Sequence, residues 1–193
     1  MAWYDNYNIS LNTRYTGTSQ DDVIDAGHLD WSATIIGKEG DDTLLGSAYN
    51  DTIKGGDDQD DLRGKEGDDV IDGGYGHDDI WGGRGNDEID AGFGRDLIFA
   101  GSGNDTVDAG FHDDRVYGGQ GDDTIKAGYG EDIVYSGSGH DRIEGGAGDD
   151  ALNGGWGNDT VHGGHGDDHI SGMSGADTLQ GYAGEDTLLG GFG

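Results

Sequence analysis

The chain has 193 residues, of which 41 are acidic and 10 are basic, and its formal net charge is −31. So negative a chain is not expected to bind nucleic acid or anionic lipid, because both require basic side chains that neutralise phosphates. The absence of cysteine excludes disulfides, thiolate catalysis and cysteine-ligated zinc. It also fits an extracellular protein that stabilises a thin core by means other than sulfur.

Residues 1–16 do not repeat and are predicted to form an N-terminal cap strand. Trp3, Tyr7, Ile9, Leu11 and Tyr15 partly alternate with polar residues, which favours an extended strand. A stack of repeats needs an atypical end that covers its first rung; the alternative is a remnant of an upstream domain. The segment lacks the basic and apolar regions of a secretory signal, so we predict no signal peptide.

Residues 17–36 are predicted to be imperfect copies of a nine-residue unit. Residues 17–25 fit the unit, whereas residues 26–36 look like a decayed copy with two extra residues. Ala33 stands where the unit has aspartate, so we expect no metal at that copy.

From Gly37 to Leu189 the chain is a block of seventeen consecutive units of the form G-G-x-G-x-D-x-U-x, in which U is aliphatic. Position six is Asp and position eight is Ile, Leu or Val in every unit. A fixed period of this kind predicts a stack of structural repeats. Residues 190–193 begin a truncated further unit. No apolar run approaches the ~20 residues of a membrane-spanning helix, so no membrane span is expected.

Each pair of consecutive units is predicted to form one coil of a right-handed parallel β-roll, an all-β solenoid. Positions one to six are rich in glycine and acid and predict a turn, which leaves three residues for each strand, such as Asp79, Ile80 and Trp81. Side chains alternate along a strand, so position eight points inward while positions seven and nine point outward.

The glycines and aspartates of the turns predict calcium sites. Glycine permits positive φ and close backbone approach, and Ca²⁺ takes six to eight oxygen ligands, from carboxylates and main-chain carbonyls. Turns of alternate units stack one rung apart, which pairs Asp78 with Asp96 and Asp87 with Asp105. Tyr49, Asp58 and His112 replace the third glycine, and we expect weaker sites or local distortion near Tyr49 and His112. The predicted ligands, with turn carbonyls, are Asp22, Asp42, Asp51, Asp60, Asp69, Asp78, Asp87, Asp96, Asp105, Asp114, Asp123, Asp132, Asp141, Asp150, Asp159, Asp168, Asp177 and Asp186.

The charge balance links folding to the metal. The seventeen stacked units provide at most fifteen gaps, and fifteen Ca²⁺ would change the net charge from −31 to about −1. Ile, Leu, Val and Phe together make up less than about 20% of the chain, which with such a charge is typical of disordered proteins. We therefore expect disorder without calcium and folding with it.

The tandem units resemble those of the repeats-in-toxin (RTX) family over residues 17–25 and 37–189. This resemblance implies a parallel β-roll, bound Ca²⁺, and export of the unfolded chain through a bacterial type I secretion channel. An extracellular location is the corresponding expectation.

Aromatic residues recur in every second unit and predict an interaction surface along one side of the middle coils. Self-association, as a homodimer or end to end, and binding of carbohydrate or a cell surface are the open alternatives, together with a purely stabilising stack. The residues are Tyr75, Trp81, Phe93, Phe99, Phe111, Tyr117, Tyr129 and Tyr135.

No nucleophile and base pair can be identified, and a filled roll has no cleft, so we predict a non-enzymatic calcium-binding module. The alternatives are a targeting or substrate-binding module of a secreted enzyme, such as an epimerase, lipase or protease, and an adhesin or surface-layer segment.

Overall fold

The computed structural model describes residues 13–193, and most of the predicted cap strand therefore lies outside the described residues. The described part contains twenty strands in two ten-stranded parallel sheets and no helix. We call them the odd sheet and the even sheet after the numbers of their strands. The odd sheet consists of β1 Thr13–Thr16, β3 Ala33–Glu39, β5 Thr52–Asp57, β7 Val70–Tyr75, β9 Glu88–Phe93, β11 Thr106–Asp108, β13 Thr124–Tyr129, β15 Arg142–Ala147, β17 Thr160–His165 and β19 Thr178–Ala183. The even sheet consists of β2 Val23–Asp25, β4 Thr43–Leu45, β6 Asp61–Glu66, β8 Asp79–Arg84, β10 Leu97–Ser102, β12 Arg115–Gln120, β14 Ile133–Ser138, β16 Ala151–Asn153, β18 His169–Ser171 and β20 Thr187–Leu189.

Consecutive strands alternate between the two sheets, so one odd and one even strand make a coil. Partners within a sheet lie two nonapeptide units apart over the repeat block, as the pair of Ile98 with Val116 shows. All pairs are parallel. This confirms the predicted all-β parallel roll with two nonapeptides in each coil.

The strands are longer than predicted. Within residues 13–193, twelve of the twenty strands have six residues, because each continues through the first three positions of the next unit. The backbone pairs of Gly83 with Gly101 belong to the ladder. A Cβ at Gly101 would collide with the carbonyl oxygen of Gly83, so glycine at position two is what lets neighbouring coils stay paired. Only positions four to six form the turn.

The core consists of one column of large aliphatic side chains from each sheet, with buried alanines such as Ala91 and Ala100 at position one. Position eight is fully buried at Leu44, Ile80, Ile98 and Ile143, each 0% exposed. Positions seven and nine of the same strands point to solvent. An interior this thin buries little apolar surface for each coil, so other interactions must hold the turns.

The N-terminal coils are offset from the repeat block. Thr13 pairs with Ala33 and Val23 with Thr43. Each of these spacings exceeds two units by two positions, which places the two extra residues between β2 and β3. Ala33 occupies the place of the missing aspartate, since its N–H donates to Oδ1 of Asp51 at 2.5 Å.

Two of the three residues that replace the third glycine keep its conformation. Asp58 and His112 have φ values of 77° and 82°, in the left-handed region, whereas Tyr49 does not adopt positive φ. The strands that lead into the Tyr49 and His112 turns, β4 and β11, have three residues instead of six. The turn at Tyr49 therefore lacks the left-handed residue that the other two turns keep at this position.

Candidate metal centre

The turns form two columns, one at each edge of the two sheets, and the sixth residue of each turn points inward. Sixteen of the eighteen predicted aspartates are buried, and Asp78 is 0% exposed. Asp177 and Asp186, in the last coils, are partly exposed. Carboxylates are almost never fully buried unless they are paired, so this arrangement requires a compensating partner for each one.

From Asp42 onward, one oxygen of each turn carboxylate accepts a hydrogen bond from the backbone of the preceding coil. The N–H of Asp78 donates to Oδ1 of Asp96 at 2.8 Å, and the N–H of Asp87 donates to Oδ1 of Asp105 at 2.8 Å. The same bond recurs from Asp42 to Asp186, always between aspartates one coil apart. The structure thus brings together the aspartate pairs that the coil arrangement predicts.

The other oxygen has no partner. Within residues 13–193, Oδ2 of fifteen aspartates is buried and accepts no hydrogen bond: Asp42, Asp60, Asp69, Asp78, Asp87, Asp96, Asp105, Asp114, Asp123, Asp132, Asp141, Asp150, Asp159, Asp168 and Asp177. An unsatisfied buried polar atom costs about 1–3 kcal/mol and more when it is charged. Fifteen in register therefore indicate a recurring ligand that the protein does not itself supply.

The surroundings of Oδ2 suit a hard cation. A Cβ built on Gly73 would lie 2.7 Å from Oδ2 of Asp78 and 2.5 Å from the carbonyl oxygen of Ala91, so glycine at position one leaves a cradle lined by both oxygens. In the described part of the chain no three acidic or histidine side chains converge, and main-chain carbonyls would have to complete the set of oxygens that Ca²⁺ prefers. Some units narrow the cradle because they carry a side chain at position one: Ala91, Ala100, Ala109, Ala127 and Ser136.

Burial makes these carboxyls hard to ionise when no cation is bound. Desolvation raises the pKa of Asp78 and Asp123 to about 7 and that of Asp69 and Asp114 to about 8. The backbone hydrogen bond to Oδ1 opposes this increase, and the charges of neighbouring aspartates add to it. A divalent cation beside Oδ2 would reverse the balance by favouring the ionised form.

Two of the predicted ligands are satisfied by the protein itself. Oδ2 of Asp51 accepts bonds from the N–H and the hydroxyl of Ser47, at 2.5 and 3.0 Å. Oδ2 of Asp22 accepts the same pair from Thr18, at 2.6 and 2.9 Å. These two turns lack the unpartnered oxygen of the other fifteen. The signal is present in the sequence, since Ser or Thr replaces glycine at position two.

A lysine reinforces the first coil. The ammonium of Lys38 donates to the carbonyl oxygen of Gly17 at 2.6 Å. Gly17 occupies position one, the position whose carbonyl borders Oδ2 elsewhere in the stack. An ammonium group from the chain thus contacts this N-terminal carbonyl.

The aromatic residues form two ladders. Tyr75, Phe93, Phe111 and Tyr129 stack at position three of the odd sheet, with centroids 4.5–5.0 Å apart. Trp81, Phe99, Tyr117 and Tyr135 stack at position nine of the even sheet, 4.8–5.9 Å apart. The ladders belong to different sheets but flank the same column of turns.

Stacked two-strand coils with inward turn carboxylates define a β-solenoid whose turns are built for cations. The model of the RTX calcium-binding nonapeptide repeat matches successive segments from residue 36 to residue 193. The chain belongs to the RTX calcium-binding nonapeptide repeat family. A search of curated proteins gave no match. No helix able to cross a membrane occurs in residues 13–193.

Proposed function

We propose that this chain is a secreted module that is disordered without calcium and folds into the roll when it binds calcium outside the cell. The observation that carries the proposal is the set of fifteen buried Oδ2 atoms without hydrogen bonds. Leaving all of them ionised and unpaired would cost more than the roughly 5–15 kcal/mol by which a typical domain is stable. The folded roll with ionised aspartates is therefore unstable without metal and becomes stable when cations bind beside the Oδ2 atoms.

Each unpartnered Oδ2 identifies one candidate site, which gives up to fifteen ions. Extracellular-type sites have dissociation constants of about 10⁻⁴ M, so at about 1 mM Ca²⁺ each site contributes ~1.4 kcal/mol. Independent sites would together contribute on the order of 20 kcal/mol. At submicromolar cytosolic Ca²⁺ the same contribution is close to zero, so the chain would stay unfolded where it is made.

Secretion follows from the same energetics. RTX repeats are typical of secreted bacterial proteins, and an unfolded, cysteine-free polypeptide suits export through a type I channel. We propose that the module itself is not an enzyme, because its interior is filled by the aliphatic columns and its buried carboxylates lie in the turns.

A calcium titration tests the proposal. Far-ultraviolet circular dichroism is expected to show a disordered chain in chelator and β-structure at about 1 mM Ca²⁺. Equilibrium dialysis on the same samples should give well over ten bound ions for each folded chain. Magnesium at equal concentration serves as the control, because it demands near-octahedral geometry and keeps its waters. A spectrum that calcium leaves unchanged would refute calcium-dependent folding.

A further inference from the structure

In the middle coils, the outer surface of the even sheet carries aromatic side chains at position nine, whereas that of the odd sheet carries polar and charged side chains at positions seven and nine. We define the aromatic face as positions seven and nine of β6, β8, β10, β12 and β14 on the even sheet. Its position-nine residues are Arg63 followed by the four stacked rings of the even sheet, which we call the even ladder. Its position-seven residues include Leu97 and Ile133. On the odd sheet the corresponding positions carry Thr106 with Asp108 and Thr124 with Lys126.

The aromatic face is electrically balanced although the chain is strongly acidic. Its charged residues are Asp61 and Asp79 against Arg63 and Arg115, two of each sign, whereas the whole chain carries −31. The odd sheet instead stacks Asp72, Asp90 and Asp108 in one column. Another copy of the chain would therefore be repelled least at the aromatic face.

The face is also self-complementary about its middle rung. Leu97 pairs with Asp79 on one side and with Arg115 on the other, all three at position seven. A two-fold axis that runs along β10 reverses the order of the rungs and keeps each column opposite itself. Such an axis places Asp79 opposite Arg115 of a second copy, and Leu97 opposite its own counterpart. Isologous contacts of this type are the commonest in homodimers.

The rings present their edges rather than their faces. Interplanar angles within the even ladder are 8–13°, so Phe99 and Tyr117 are covered on both sides by neighbouring rings. The guanidinium of Arg63 covers Trp81 at 4.6 Å from the ring centroid. A sugar needs a free ring face to stack on, which leaves only the end of the ladder at Tyr135. A row of ring edges flanked by charged and aliphatic side chains is better suited to bind a protein surface with complementary side chains.

We propose that the aromatic face binds a second copy of this chain in a two-fold arrangement centred on Leu97. This inference rests on the proposed calcium-dependent folding, since the face exists only in the folded roll. Calcium also removes most of the charge that would otherwise keep two copies apart. The five rungs extend about 19 Å along the roll, which makes a small interface, so we expect a dissociation constant in the micromolar range.

Sedimentation of charge-exchange variants in calcium tests the pairing. The wild type is expected to change from monomer to dimer between about 1 and 100 μM. Asp79→Arg and Arg115→Asp each place like charges opposite each other and should weaken the dimer at least tenfold. The double variant restores opposite charges with the wild-type net charge, and its dissociation constant should return to within threefold of the wild-type value.

Glu88→Arg is the matched control, because it makes the same charge change at position seven of the odd sheet. It should leave the dissociation constant within threefold of the wild type. Circular dichroism in calcium establishes folding for every variant. A folded wild type that stays monomeric at about 100 μM, as a glycan-binding face would, overturns the interface alone, and so does a double variant that remains weak. A chain that stays unfolded in calcium overturns the proposed function and the interface with it.

Discussion

Two turns in the same column differ in how the buried Oδ2 of their aspartate is stabilised. Asp51 and Asp69 lie one coil apart, joined by the bond from the N–H of Asp51 to Oδ1 of Asp69 at 2.7 Å. Oδ2 of Asp51 is hydrogen-bonded to Ser47, whereas Oδ2 of Asp69 is buried without a donor. A hydroxyl at position two and a bound cation are thus alternative ways to stabilise the same buried oxygen.

The roll therefore divides into an N-terminal part in which the chain itself satisfies the turns apart from that of Asp42, and a remainder that we propose depends on cations. Thr18 and Ser47 close their turns, Ala33 removes one carboxylate, and Lys38 contacts the carbonyl of Gly17. Oδ2 is unpaired at Asp42 and, from Asp60 onward, at each buried turn aspartate. We expect the first coils to be the part of the described chain that depends least on calcium.

Protonation of the buried turn aspartates at low pH should stabilise the roll without calcium, and this is the largest expected effect. The pKa of Asp69 and Asp114 in the metal-free roll is raised to about 8 by burial, while an unfolded aspartate titrates near pH ~3.9. A raised folded pKa stabilises the roll fully below the unfolded value, and this contribution is lost progressively as pH rises from about 4 to about 8. In chelator, β-structure should therefore appear between about pH 6 and 4 and be absent at about pH 8. Circular dichroism that shows no gain of structure in acid would contradict the assigned burial.

Removing a carboxylate should affect ion binding only where Oδ2 is unpaired. Asp96→Ala lies in mid-roll and should remove the site at its own Oδ2 and weaken the adjacent site at Asp78, whose N–H loses its acceptor, at a cost of about 3 kcal/mol in calcium. Asp186→Ala, in the last coil, should cost less and lower the calcium-dependent Tm by a smaller amount. Asp51→Ala should leave the number of bound ions unchanged. Equal loss of ions from all three variants, measured by equilibrium dialysis, would remove the distinction between the two kinds of turn.

Removing the side-chain donor from a turn should make the buried Oδ2 of its aspartate depend on a bound cation. Ser47→Gly removes the hydroxyl donor from Asp51 and should cost about 1–3 kcal/mol at a calcium concentration just sufficient to fold the wild type. At high calcium the variant should bind one additional ion and recover most of its stability. Ser102→Gly, at position three of another unit, is the matched control and should change neither quantity. An unchanged ion count for Ser47→Gly would show that the hydroxyl does not substitute for a cation.

The smallest expected effect concerns the lysine of the first coil. Lys38→Met removes the bond to the carbonyl of Gly17 and should destabilise the roll by about 1 kcal/mol. Lys54→Met removes an exposed pair with Asp72 and should cost about half as much, because exposed pairs contribute little. Thermal unfolding in calcium compares the two. A larger loss for Lys54 than for Lys38 would argue against a role for Lys38 in the first coil.

The coil and the inward aspartates are predictable from the sequence because each depends on a fixed position in the repeat. Position eight supplies the column that contains Ile98, and position six supplies the stacked pair of Asp78 and Asp96. The predicted strand length is wrong because glycine in this roll is more than a turn residue. Gly101 belongs to a ladder that requires the absence of a Cβ. The replacement of glycine by Ser47 at position two is visible in the sequence, but the hydrogen bond from its hydroxyl to Oδ2 of Asp51 is seen only in the packed turn.

Diffraction from calcium-grown crystals, at a wavelength where calcium scatters anomalously, tests most directly whether cations hold the turns. We expect anomalous peaks beside the fifteen unpaired Oδ2 atoms, at Asp42 and from Asp60 to Asp177, and none beside Asp51, where Ser47 supplies the hydrogen bonds. An intact roll with no peaks beside Oδ2, or with peaks of equal height at Asp51 and Asp69, would contradict the assignment.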